Sequence, residues 1–479
     1  MSVSMTDRRI LFILSILIFG HSAGYAQPNF IFILTDDQDW TETSVQMHPD
    51  IPYSKSQYIQ TPNLEKLASE GIIFSDAYAP SSVCAPTRIS LQTGKSPAQL
   101  HWTKAGPAVT TRDNYPLIPK PIRRDISSSE TTIAEMLKGA GYATAHYGKW
   151  HLSGGGPEEH GYDESDGNTG NQDAARHIAP NPVDIFGITE RASAFMEKHT
   201  KAGTPFFIQL SHNGLHYPEN STPEMLQKYA KLMGKSTDDR QVQRSAMAEH
   251  VDQGLGLIME KIDALGIREN TYLIFMSDNG GTAGGKRDRR KNSTNTRPLN
   301  SGKGSVYEGG IRIPLIIRGP NIPADIYSSS RVVGFDLFPT FCALAGVKQA
   351  LPDGVEGGDM TAILHSGKGQ VQRPREALIF HFPHYQADTP HSAILLGDYK
   401  LIKWYEDGKV KLFDLSKDIG ESKDLSEQFP EKTAGLLKQL EQYLADVDAQ
   451  IPDINPDYDP AKPSTPQLGK GKGGKASRK

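Results

Sequence analysis

Four short apolar runs, each cut off by polar or ionisable residues, constrain the fold of this chain most. Phe30–Leu34 gives way to Thr35-Asp36-Asp37, and Ala143–Tyr147 to Gly148-Lys149-Trp150-His151. Phe206–Leu210 gives way to Ser211-His212-Asn213, and Tyr272–Met276 to Ser277-Asp278-Asn279-Gly280-Gly281. Unbroken apolar runs of this length fit strands buried on both faces, as in a parallel sheet. Helical patterns lie between them, over Thr132–Lys138 with Gly139 as a stop, and over 244–265. Alternating strands and helices predict an α/β doubly wound fold. In such sheets the ligand site lies beyond the carboxyl ends of the strands. Asp36, Asp37, Lys149, His151, Asp278 and Asn279 should therefore converge, although they are far apart in sequence.

The pattern changes near residue 371. Ala377–Phe380, Ala393–Leu396, Lys400–Trp404 and Val410–Phe413 read as short strands, with Asp407-Gly408 as a hairpin turn. Leu436, Leu437, Leu440, Tyr443 and Leu444 then recur at helical spacing over 432–447. These features predict a main α/β unit over 27–370 and a small antiparallel sheet with a covering helix over 371–454. The Pro-, Gly- and Lys-rich remainder, 455–479, reads as a disordered basic tail. At the other end, Arg8 and Arg9 precede the apolar run Ile10–Phe19, and small residues lead up to Ala26. This is the pattern of a secretory signal over 1–26. The run is too short for a membrane span, which needs about 20 residues. A secreted or periplasmic protein without stable membrane insertion is expected. With 37% hydrophobic and 23% charged residues the chain is globular, and its net charge of −4 gives no reason to expect a nucleic-acid partner.

Two groups of residues carry chemistry. Asp36, Asp37, Asp278 and Asn279 offer hard oxygen ligands and suit calcium or magnesium better than zinc. Arg88, Lys149, His151, His216 and Lys303 are cations or potential cations, and beside a divalent metal they imply a strongly anionic substrate group: a sulfate or phosphate ester. Between the two groups stands Cys84, in Ser82-Val83-Cys84-Ala85-Pro86-Thr87-Arg88. Pro86 suits a first helical turn, and a helix N-terminus favours anions. The only other cysteine, Cys342, lies in what reads as a core helix, so no Cys84–Cys342 disulfide is expected.

Cys84-Ala85-Pro86-Thr87-Arg88 resembles the C-x-P-x-R signature of the formylglycine-dependent type I sulfatases. The resemblance continues through Leu91-Gln92-Thr93-Gly94, Gly148-Lys149-Trp150-His151, Ser277-Asp278-Asn279-Gly280-Gly281 and Gly302–Pro314, in the family's order and over about residues 28 to 415. It implies a large mixed, mostly parallel sheet flanked by helices, as in the alkaline phosphatase superfamily, with a smaller C-terminal antiparallel sheet plus helix. It also implies that a separate formylglycine-generating enzyme converts Cys84 to Cα-formylglycine, whose hydrate attacks the sulfur of a sulfate ester. Asp36, Asp37, Asp278, Asn279 and modified Cys84 would hold one calcium ion. Arg88 would orient the hydrate, Lys149 and Lys303 would clamp the sulfate, and His151 would assist the hydrate's proton transfers. His216 would protonate the leaving alcohol; it is preferred to His212 because it stands near Pro218.

Relatives of this type commonly desulfate polysaccharides, so a sulfated saccharide is the expected partner. Asn168, Asn171, Asp173, His381, His384 and His391 are expected in loops that read sugar hydroxyls. The basic stretch from Lys286 to Pro298 is expected to border the mouth. Two competing readings are a phosphorus-ester hydrolase of the same superfamily and a non-catalytic glycan binder with unconverted Cys84.

Overall fold

The computed structural model describes residues 27–282 and 298–465. Residues 1–26, where a secretory signal is expected, the basic stretch from Lys286 to Arg297 and residues 466–479 lie outside the described residues. An eight-stranded sheet forms the centre. In spatial order its strands are Ile326–Ser328, Ile72–Phe74, Leu315–Arg318, Thr271–Ser277, Asn29–Thr35, Phe206–Ser211, Ala143–Gly148 and Glu164–Ser165. Neighbours are parallel except at Leu315–Arg318, which is antiparallel to both of its partners.

The four apolar runs are the four adjacent strands Thr271–Ser277, Asn29–Thr35, Phe206–Ser211 and Ala143–Gly148. Successive side chains of a strand point to opposite faces, and here each face has its own core. Phe30, Phe32 and Leu34 pack with Ile89, Ile133, Met136, Phe338 and Phe341 on one side. Ile31 and Ile33 pack with Leu64, Ile188, Phe195, Met247 and Val251 on the other. Burying each such side chain stabilises the fold by roughly 1.5–3 kcal/mol; the polar residues that do interrupt the runs, Thr144, His146 and Gln209, are themselves buried and hydrogen-bonded, to Gly161 O, Ser211 Oγ and Gln92 Nε2 respectively. The register brings their ends level: Thr35 pairs with Ser277, Leu34 with Ser211, and Ser211 with Gly148.

The second sheet is antiparallel, in the order Leu378–Phe382, His391–Leu396, Tyr399–Trp404, Val410–Asp414. Gly408, at φ 68°, serves the predicted turn. Helix Pro430–Asp446 covers one face, setting Leu436, Leu440, Tyr443 and Leu444 on Ile379, Ile394, Leu401 and Leu412. The other face lays Phe380, Phe382, Leu395 and Phe413 on Tyr78, Val83, Val306 and Ile311 of the main unit. Between them, Lys400 meets Glu308 and Glu421, each at 2.8 Å and all buried.

Two expectations need correction. Residues 455–465, expected to begin a disordered tail, are docked. Asp453–Ile454 pairs with Leu117–Ile118, the Asn455 backbone N–H donates to Pro116 O, and that of Thr465 donates to Asp113 O. Asn114 supplies the physical reason: its side chain donates to Asp459 O and Lys462 O. Second, His381 and His391 stand on strands, not in loops. Both are buried, because the apolar runs that flag these strands continue into the histidines.

Candidate active site

The level ends of the four strands deliver their polar residues to one place. Asp36 and Asp37 follow the first strand, and Asp37 takes φ 62° to turn the chain. The Asp37 backbone N–H donates to Asp278 Oδ1 at 3.2 Å. Asn279 Nδ2 donates to Asp37 Oδ1 at 2.8 Å. Lys149 Nζ meets Asp36 Oδ2, and Lys303 Nζ meets Asp37 Oδ1. Arg88 donates from Nε and Nη2 to Asp278 Oδ2 at 3.0 and 2.8 Å, and from Nη1 to Lys149 O at 2.5 Å. Three carboxylates and three fixed cations thus interlock in a largely buried space.

Helix Cys84–Thr93 brings Cys84 in as its first residue, after the extended Val83. Pro86 falls in the first turn, where a missing N–H costs little. Gly94, at φ 70°, ends the helix with its N–H on Ser90 O. The Cys84 sulfur, an Asp36 oxygen and an Asp278 oxygen lie within 4.8 Å of one another. Burial pushes the thiol pKa up, although Lys149 and Lys303 pull it down. The electropositive setting read from the sequence is present, but it does not win, so the unmodified thiol is a poor nucleophile at neutral pH.

Charge is shared unevenly among the acids. Burial works against ionisation of Asp36, but Lys149, His216, Lys303 and Arg88 together hold its carboxyl well below the usual range. Asp278 is pushed up to about 7 by burial and by the Asp36 carboxylate, against the pull of Arg88. Asp36 Oδ1 and Asn279 Oδ1 are buried without a hydrogen-bond partner among the described residues. Two orphaned hard oxygens beside crowded carboxylates fit a divalent cation of the calcium or magnesium type.

His216 belongs to this cluster. Its Nε2 stands 4.0 Å from Asp37 Oδ2, and its Nδ1 is 2.6 Å from Tyr217 O. A carbonyl only accepts, so Nδ1 carries the proton in the neutral ring. Burial lowers the His216 pKa to about 4. His212 is also buried, and the charge that acts on it is Asp184, outside the cluster. His151 takes φ 60° and donates its backbone N–H to Thr169 O. Its pKa falls well below the usual value through burial and then Lys149.

Of the expected sugar contacts, Asn168 is exposed on the loop that Thr169 ties to Lys149-Trp150-His151. Asn171 is half-buried, its Oδ1 unpartnered among the described residues, and Asp173 accepts from the Gly170 N–H at 2.6 Å. His381 has both ring nitrogens taken, by Ser392 Oγ at 2.6 Å and Gln450 O at 3.2 Å. His384 is buried against Thr103 Oγ1 at 2.7 Å. Both nitrogens of the buried His381 ring are thus taken, which corrects its assignment as a sugar contact, whereas His384 keeps Nδ1 without a partner among the described residues.

Sequence reasoning missed Arg244. From helix Arg240–Ala264 it donates to Asp37 O at 2.8 Å and Leu215 O at 2.6 Å, and it pairs with Glu42 at 2.5 Å. The signal was available: Arg244 shares a helical stripe with Met247, Ala248 and Val251, all buried. An arginine inside an apolar stripe needs buried partners.

An α/β sheet that gathers cations and carboxylates around one reactive side chain at its carboxyl edge defines a hydrolase of anionic esters. Comparison with known proteins settles which ester. A sulfatase family model matches residues 28–347, and the model for the C-terminal part of N-sulphoglucosamine sulphohydrolase matches residues 302–450. The chain belongs to the sulfatase family and is a sulfuric ester hydrolase. It is 28% identical to an ulvan-active sulfatase of Formosa agariphila, over 81% of this chain and 75% of that one. It is 27% identical to arylsulfatase A of Homo sapiens, over 91% and 92%. Among solved structures it resembles Ps i-CgsB in complex with a neocarrahexaose: TM-score 0.70, 25% identity, 88% of this chain and 93% of that one.

Proposed function

We propose that this protein is a formylglycine-dependent, calcium-assisted sulfatase that removes sulfate from a sulfated carbohydrate. The observation that carries the reading is the meeting of Cys84, Asp36, Asp278 and the orphaned Asp36 and Asn279 oxygens under Lys149 and Lys303. The carbohydrate is supported by the relatives, one named for ulvan and one solved with a neocarrahexaose. Asp36, Asp37, Asp278, Asn279 and the converted side chain at 84 would hold the ion. The ion supplies positive charge against the sulfate oxygens and lowers the cost of ionising a nearby hydroxyl. Burial withholds the thiolate of Cys84; once Cys84 is converted to formylglycine, the hydrate of its aldehyde would present a hydroxyl oxygen as nucleophile instead.

The remaining work falls to side chains of this chain. Lys149 and Lys303 lie against Asp36 and Asp37, where they can turn to sulfate oxygens as charge builds there. Arg88, held by Asp278 and Lys149 O, stays charged beside residue 84 and orients its oxygen. His151 takes and returns the proton of that oxygen. His216, with Nδ1–H fixed on Tyr217 O, directs Nε2 at the leaving alcohol. An anionic sulfate beside it raises its low pKa, so the acid is armed when substrate arrives.

The first test is sulfate release from a panel of sulfated saccharides. The enzyme would be produced with formylglycine-generating activity and compared with Cys84→Ala and with matched phosphate esters. Release that disappears in Cys84→Ala is expected. Phosphate release without sulfate release, by protein whose residue 84 is converted, would overturn the reading. Export is inferred from Arg8, Arg9, the apolar run Ile10–Phe19 and Ala26; protein from its native host should then begin at Gln27 on N-terminal sequencing.

A further inference from the structure

Under the strand ends lies a buried polar network that the proposed chemistry does not use. The sheet face that packs on helix Cys84–Thr93 is apolar at Phe32, Leu34 and Phe207. Gln209 and Ser211 follow Phe207 on that same face, and His146 pairs beside Gln209. Gln92 Nε2, from the helix, donates to Gln209 Oε1 at 2.8 Å. Gln209 Nε2 donates to Ser211 Oγ at 3.0 Å, and Ser211 Oγ meets His146 Nε2 at 3.1 Å. The Tyr162 hydroxyl lies 3.0 Å from Gln92 Oε1 and 3.2 Å from Gln209 Oε1, and donates to that pair. None of these five side chains is more than 2% exposed.

The network closes a ring through the residues of the site. Cys84, Arg88 and Gln92 recur every fourth residue and share one helix face. Arg88 Nη1 donates to Lys149 O at 2.5 Å. The Lys149 backbone N–H donates to Ser211 O at 2.7 Å. Gln209 holds the Ser211 hydroxyl and returns to the helix at Gln92. The helix is thus tied to the Lys149 turn at Arg88 and to strand Phe206–Ser211 at Gln92, one turn further on. Around these ties the contact is apolar, with Ala85, Ile89 and Leu91 in one core with Phe32, Leu34 and Phe207. Apolar contact is non-directional and tolerates small slides and rotations of a helix. A buried hydrogen-bonded pair does not, and fixing register is the best-attested use of such a pair.

We propose that Gln92 and Gln209 are positioning residues: their amide pair sets the seat of helix Cys84–Thr93 on the sheet, and so places residue 84 and Arg88 against Lys149. Both amides are buried and act through the helix and through the Ser211 carbonyl. The inference rests on the reading of Cys84 as the reacting residue. It separates placement from stability. Removing one amide leaves the other buried and unpaired, which destabilises the fold, whereas replacing the whole set by apolar groups of similar shape is nearly neutral. Register, in contrast, is lost in both cases.

The test compares wild type with Gln209→Met and with the combined variant Gln92→Met, Gln209→Met, Tyr162→Phe, all with residue 84 shown by peptide mass to be converted. The substrate is whichever sulfate ester the wild type turns over, and thermal melting is read on the same samples. Gln209→Met should melt below wild type, and the combined variant should recover most of that loss. In both, kcat should fall about ten- to hundredfold, the cost of misplacing reacting groups by a fraction of a bond length to a bond length. KM should stay largely unchanged, because Lys149 and Lys303 still meet the sulfate. A combined variant with wild-type melting and wild-type kcat would overturn the positioning role. Should the combined variant not fold, Gln92→Met is compared with Met136→Ala, a cavity in the same core. The loss of kcat should then be larger in Gln92→Met, and equal losses at equal stability would overturn the role. Sulfate release that survives in Cys84→Ala would instead overturn the reading of Cys84, and the positioning role with it.

Discussion

His216 shows how much of this chemistry is set by single atoms. Its Nδ1 faces a carbonyl that can only accept, which leaves Nε2 for the acid role proposed above. Replacing His216 with Ala should cut kcat on a sugar sulfate by about 10²–10⁴-fold, the usual contribution of a general acid. The loss on nitrophenyl sulfate, whose leaving group needs no proton, should be far smaller; equal losses on both would remove the acid role. The proposed metal binding is decided at the same scale. Asp36 Oδ1 and Asn279 Oδ1 have no partner among the described residues, so an ion that fills them binds the folded state alone. At a hundred times its Kd, calcium should stabilise the fold by about 2.7 kcal/mol. Stripping the converted protein with a chelator should lower its melting temperature, and added calcium should restore it. Arg244 belongs here too. Arg244→Met takes away the cation against which the Glu42 carboxylate is buried, and breaking such a pair costs about 3–5 kcal/mol; calorimetry would read the loss.

Elements decide where these atoms stand. The strand ends are level because the four central strands run parallel in one register, and the turns after them are tight. Gly148 takes φ 90°, and a Cβ there would stand 2.2 Å from Ser211 O. Gly310 is as confined, since a Cβ at that position would meet Ser305 O at 1.9 Å. Gly148→Ala should therefore cost at least about 1–3 kcal/mol through backbone strain. It should also lower kcat more than a surface change of equal stability cost, because Lys149 and His151 follow directly. Denaturant melts and sulfate-release kinetics on the same sample would show both effects, and a neutral result would contradict the close approach. The start of helix Cys84–Thr93 was readable from Pro86, which carries a local backbone rule. Helix Arg240–Ala264 starts four residues before the apolar pattern does, because Asp239 caps it by accepting from the Gln241 N–H, and a cap outside the pattern leaves no periodic signal.

At the scale of the whole molecule, the second sheet is locked to the site. Lys400 on that sheet pairs with Glu308 and Glu421, and Glu308 also holds Arg312 at 2.6 Å. Glu308 begins the short helix Glu308–Ile311 that follows the Lys303 segment. Removing Lys400 strips two buried carboxylates of a shared cation, so Lys400→Met should destabilise the protein by about 3–5 kcal/mol. If the lock matters to function, turnover should fall at temperatures where the variant is still folded; an unchanged rate there would make the contact structural only. The α/β class, the parallel strands and the residues that meet at their ends were all legible along the chain. They follow from side-chain burial on both faces of a strand and from the position of polar residues after each run, and both signals are local. The folded molecule was needed to show that His381, His384 and His391 are buried, that residues 455–465 dock against Asn114, that Arg244 braces Asp37, and that the Cys84 thiol is disfavoured as an anion. Each of those depends on which distant side chain or carbonyl lies within hydrogen-bonding reach, or on how completely water is excluded, and neither is written in the spacing of residues along the chain.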